Sequence, residues 1–181
     1  MTSEQTHSVG GVVASAMCFT AIIGAGYYAL DGRRVDMAVL LLAGLGQVIA
    51  FLWFRTQYAR AVCSFIMLTA AMSAAEQLYS RIWWWDILIH FVTLYALVWM
   101  AWNRVLTHHP RVRGRVRDRP AMRFTWCAVA GFVIAVVWEV MELLGFLFAT
   151  PDIHIPPLDT LGDIVMGVLG AACVGFHREP R

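Results

Sequence analysis

The chain has 181 residues, of which 60% are hydrophobic and 14% charged, with a formal net charge of +2. A soluble domain carries about 25% charged residues, so this balance, with a mean hydropathy of +0.64, excludes an ordinary water-soluble fold and indicates a single integral membrane domain over 1–181. All 14 basic residues are Arg, and the four Cys stand singly in apolar runs without a CxxC pair, which excludes a zinc ribbon or a disulfide framework.

A hydrocarbon core of about 30 Å is crossed by about 20 helical residues. Six apolar runs reach that length, near 9–30, 35–54, 61–80, 82–106, 124–149 and 158–176. A lipid-exposed backbone must satisfy its own N–H and C=O groups, so the expected fold is all-α: a polytopic transmembrane helical bundle. The first run follows Met1 to Ser8, which contain no Arg, and no small-residue cleavage pattern follows it, so it reads as a retained span. The third run carries a polar stripe of Thr69, Ser73 and Glu76. Trp83, Trp84 and Trp85 open the fourth and mark a membrane–water boundary. Asp86 and His90 follow four residues apart on one helix face, about 6 Å apart along the axis, with Thr93 extending that face. Arg111, Arg113, Arg115, Arg117, Arg119 and Arg123 fill the next link. The fifth run contains Glu139 and Glu142, three apart. The sixth follows Pro156 and Pro157 and contains Asp159 and Asp163, with Gly162, Gly167, Gly170 and Gly175 as small residues for close helix packing.

The Arg-rich link reads as a positive-inside signal, which places it in the cytoplasm and, with six spans, both termini there too. Eleven Arg then fall inside, and only Arg33, Arg34 and Arg81 outside. Attraction to anionic headgroups is a by-product of that link. It has no aromatic interleaving and no surrounding nucleic-acid fold, so nucleic acid is not an expected partner. The bilayer is.

In this orientation Glu76, Asp86, His90, Glu139, Glu142, Asp159 and Asp163 all fall in the outer half of the membrane. Some have local readings: Glu76 as a helix end beside Arg81, Asp86 as a charge favourable to a helix N-terminus, Asp159 as an N-cap, His90 as a satisfied buried histidine. Asp163, Glu139 and Glu142 have no cap or adjacent Arg to explain them. His154, in the outer loop, is within reach of the same layer. Carboxylates gathered in low dielectric cannot all remain ionised, so protons or cations must sit among them. One His among carboxylates suits Mg²⁺, Mn²⁺, iron or Zn²⁺. The expected metal ligands are Asp86, His90, Asp159, Asp163 and Glu76, with Glu139 and Glu142 as candidate catalytic bases.

The runs Trp85-Asp86-Ile87-Leu88-Ile89-His90, Trp138-Glu139-Val140-Met141-Glu142 and Asp159-Thr160-Leu161-Gly162-Asp163 with Gly167 resemble the YjdF-like family of bacterial inner-membrane proteins, from Glu76 to the C-terminus. The VanZ-like proteins are more distantly similar. Asp163 here stands where their pattern has Asn, and Glu142 where it has Gln. The resemblance implies the fold, a bacterial inner-membrane location and a joint role for the acidic motifs; it brings no reaction with it. Three functions follow from the residues: a metal-dependent hydrolase or transferase acting on a lipid or lipid-linked substrate, a non-catalytic binding or resistance-type protein, and a proton- or cation-coupled transporter. The absence of a clear inverted repeat and the dry inner halves of the spans disfavour transport.

Overall fold

Gly and Pro punctuate the chain where its helices turn. In the computed structural model, which describes residues 3–116, 118–150 and 157–177, α1 (Ser3–Leu30) and α2 (Arg34–Trp53) meet at Gly32, whose φ of +77° is open to glycine without a Cβ clash. After α3 (Gln57–Ala75) and the short α4 (Leu78–Arg81) come α5 (Trp85–His108), α6 (Pro110–Val116), α7 (Pro120–Phe148) and α8 (Pro157–Cys173), which ends in a 3₁₀ turn at Val174–Phe176. Pro120 stands in the first turn of α7, where a missing N–H costs no hydrogen bond. Among the described residues there is no strand, and six helices are long and apolar enough to cross a membrane, at Gly11–Leu30, Arg34–Trp53, Gln57–Ala75, Trp85–His108, Pro120–Phe148 and Leu158–Phe176. The all-helical expectation holds. Arg117, His154, Pro156, Arg178 and Arg181 lie outside the described residues.

The third helix stops at Ala75, short of the Ser80 expected from hydropathy, because Gln77 turns into the left-handed region at φ 54°. Its polar stripe is partly satisfied within the helix, since the Ser73 hydroxyl donates to the Thr69 carbonyl at 2.7 Å.

The chain divides into two compact units, Met1–Trp83 and Trp84–Arg181. In the first, α1, α2 and α3 pack mutually through small side chains: Ala14, Ala21, Ala25, Ala43, Ala50, Ala59 and Ala71 are all buried. Gln47 of α2 donates to the Ser64 carbonyl of α3 at 3.1 Å, a polar tie between helices of the kind lipid favours.

In the second unit α8 packs against both α5 and α7. A Cβ at Gly170 would lie 2.0 Å from the Phe91 carbonyl oxygen, and one at Gly167 would lie 2.9 Å from Leu94. A Cβ at Gly131 of α7 would lie 2.2 Å from that of Ala171. Val98, Cys127, Ala171 and Val174 close the core between the three helices. The register is regular. Leu94 meets Gly167 and Val98 packs with Ala171, so α5 and α8 advance together four residues at a time. Phe124 meets Gly175 and Gly131 meets Ala171, so α7 runs opposite to α8.

Because the Phe91 carbonyl cannot move without breaking its helix, Gly170→Ala is expected to destabilise the protein by about 1–3 kcal/mol. Gly162→Ala, where an added Cβ meets nothing within 4 Å, should be neutral or slightly stabilising. Reversible unfolding of the two variants in detergent checks the contrast.

Candidate metal centre

The α5–α8 register continues one turn above Leu94 and Gly167, to His90 and Asp163. His90 Nε2 lies 3.3 Å from Asp86 Oδ1 and 3.8 Å from Asp163 Oδ1. Asp86 reaches the imidazole because it sits one turn earlier on the same face of α5, and it stands in the first turn, where the helix dipole favours a carboxylate. Asp163 comes from α8 and is buried, at 6% exposure. One donor atom from each of Asp86, His90 and Asp163 lies within 4.8 Å of the others.

The antiparallel register of α7 and α8 delivers the remaining carboxylates to the same end of the unit. Glu139 stands close to the Thr160 side chain and lies within electrostatic range of His90, Asp159 and Asp86. Glu142, one turn on, stands close to Trp138 and within range of Glu139, His90 and Asp86. Asp159 lies within range of Asp163 as well. Three helices thus bring five carboxylates to the end of the unit that holds the His90 imidazole, and the two α5–α8 residues below them, Leu94 and Gly167, are apolar. Thr93 Oγ1 is buried on α5 without a hydrogen-bond partner among the described residues.

The triad offers two carboxylate oxygens and one imidazole nitrogen. Ligand bonds of about 2.0–2.2 Å accommodate donor atoms up to about 4.3 Å apart, so at most a small rotation of one carboxylate brings all three onto one cation. The mixed oxygen–nitrogen set suits Mn²⁺, iron or Zn²⁺, and Mg²⁺ where water completes the shell.

Glu76 belongs to the first unit, where it closes a different network. Tyr28 donates to Glu76 Oε1 at 2.5 Å. Arg33 stacks over the Tyr28 ring at 4.3 Å, bonds Asp36 Oδ2 at 2.7 Å and donates to the Ala75 carbonyl. The α1–α2 turn is thereby tied to the end of α3. Sequence reasoning missed this network. Its one visible signal was the three-residue spacing of Arg33 and Asp36, which also neutralises one of the Arg residues assigned to the outer face.

Over residues 8–177 the chain matches the family described as "Predicted membrane protein (DUF2238)". No curated protein and no solved structure matches it.

Tyr28→Phe removes the donor and Glu76→Ala the acceptor of the same hydrogen bond. Their combined effect on unfolding should therefore fall short of the sum, with a coupling of about 0.5–2 kcal/mol in a double-mutant cycle. Strict additivity would show that Glu76 acts elsewhere.

Proposed function

The chain belongs to this family of predicted membrane proteins, and from that premise we propose that its second unit is a metal-dependent enzyme centre for hydrolysis or group transfer on a lipid or lipid-linked substrate. Asp86, His90 and Asp163 hold a divalent cation, with Asp159 as a further carboxylate at its edge. Glu76, already bonded to Tyr28, stays outside this ligand set. The observation that carries the reading is the approach of three donor atoms, from two helices, to within 4.8 Å of one another.

A cation held by Asp86, His90 and Asp163 would supply Lewis-acid chemistry toward a phosphoryl or carbonyl oxygen. Glu142 or Glu139 would serve as the base that takes a proton from the attacking water and, as its conjugate acid, returns one to the leaving oxygen. Both stand on α7, which carries none of the proposed ligands, so base and cation would act on a substrate from different helices. The α5–α8 contact seals the floor of the site with Leu94 against Gly167 and Phe91 against Gly170. That closure supports a site opening to one face of the membrane over a pathway through it. With both termini cytoplasmic, as the Arg distribution indicates, the site opens at the outer face of a bacterial inner membrane, where lipid-linked substrates present their headgroups.

Full-length protein purified in detergent without chelator should retain stoichiometric divalent metal by elemental analysis. Asp163→Ala and His90→Ala should lose it, whereas Glu142→Gln, which changes only the base, should keep it. Metal-free wild-type protein whose thermal stability is unmoved by added Mn²⁺, Zn²⁺, Fe²⁺ or Mg²⁺ would overturn the assignment.

A further inference from the structure

The charges of the second unit are segregated by sign along its helices. Residues 82–103 and 124–176, which carry the whole metal centre, contain no Arg and no Lys, and their only basic side chains are the imidazoles of His90 and His154. Along α5 the first Arg beyond His90 is Arg104, fourteen residues on, and along α7 the last before Glu139 is Arg123, sixteen residues back. Those intervals are about 21 Å and about 24 Å of helix. Arg81, five residues before Asp86, is exposed and forms no ion pair among the described residues.

A cation in the triad is therefore the main positive charge at this end, and the acidic groups exceed it. Asp86 and Asp163 stand at the His90 imidazole, and these two carboxylates already match one divalent ion. Glu139 and Glu142 lie within electrostatic range of the same imidazole and exceed that balance. Among the described residues one set of three donors gathers closely enough for an ion. A phosphodiester is an anion before it reacts, and its non-bridging oxygens are held by Arg, Lys or several metal ions where it is processed. Here they would meet one ion and a surplus of like charge in a low dielectric. An ester or amide carbonyl is uncharged when it binds. It gains a single negative charge in the transition state, which one divalent ion balances.

Resting on the metal-dependent reading above, we propose that the substrate reacts through an uncharged carboxylic ester or amide carbonyl and not through a phosphodiester. In hydrolysis, water adds to the carbonyl carbon while the C=O electron pair moves onto oxygen, and the proton of that water passes to Glu142 or Glu139. The electron pair then returns, and the C–O or C–N bond to the leaving group breaks. The leaving atom takes the proton from the glutamic acid, giving a carboxylic acid and an alcohol or amine.

Elemental analysis and titration calorimetry on the detergent-purified full chain, loaded with Zn²⁺, test the assignment. The probes are N-hydroxydodecanamide, an uncharged carbonyl ligand, and dodecyl phosphate, an anion with a tail of similar length. The wild type should hold one ion per chain and bind the hydroxamate about tenfold more tightly than the phosphate, the scale of one charged contact. The double variant Glu139→Gln, Glu142→Gln, which keeps all three ligands, should gain about tenfold in affinity for dodecyl phosphate. A wild type that holds its ion but binds the phosphate as tightly as the hydroxamate, or binds neither, would overturn the substrate class and leave the metal centre standing. This comparison needs no variant to fold. No gain for dodecyl phosphate in the double variant would overturn it too, as would two or more ions per chain, which would supply the missing clamp. Protein that holds no ion would overturn the metal centre and this inference with it.

Discussion

The second unit depends on how closely the backbone of α8 approaches its neighbours. Helices in lipid gain little from excluding water, because acyl chains are as apolar as their side chains, so van der Waals contact must hold them together. Gly170 against the Phe91 carbonyl, Gly167 against Leu94 and Gly131 against Ala171 provide that contact at distances a Cβ would forbid. Interlocked at these points, the helices cannot slide, and the register they set passes directly to the polar residues one turn away. His90 and Asp163 meet because Leu94 and Gly167 do.

The same register explains why the carboxylates share one end of the unit. Two helices that advance together, α5 and α8, place Asp86, His90, Asp159 and Asp163 near their starts. The antiparallel α7 brings Glu139 and Glu142 to the same level near its end. An imidazole flanked by two aspartates at 3.3 Å and 3.8 Å, with further carboxylates in electrostatic range, is an arrangement whose charge must be balanced by protons or cations. The first unit balances its charge internally. There Arg33, Asp36, Tyr28 and Glu76 pair with one another and spend their polar contacts on tying a turn to a helix end.

The contrast between the two units separates structural from chemical uses of charge near a membrane. In the first, Arg33, Asp36 and Glu76 each have a local partner of opposite or complementary character. In the second, carboxylates outnumber cationic partners at one end. Unbalanced charge in a low-dielectric setting is retained where a ligand completes it, and the acidic end of this unit invites a cation.

The amino-acid sequence by itself determined the helical class, the six apolar segments and the helix faces on which Asp86 and His90, Glu139 and Glu142, and Asp159 and Asp163 stand. Those features depend on hydropathy over about 20 residues and on the helical repeat, both of which are local. Only the tertiary structure decided which faces meet. It joined Asp163 to His90, brought Glu139 close to Thr160, engaged Glu76 with Tyr28, and turned the chain at Gln77 before the apolar run was spent. These outcomes depend on the approach of residues dozens of positions apart, as when Gly170 admits Phe91 and Gly131 admits Ala171. A string of small residues announces that close packing is available without naming the partner surface, because the partner is chosen by shape complementarity between whole helices.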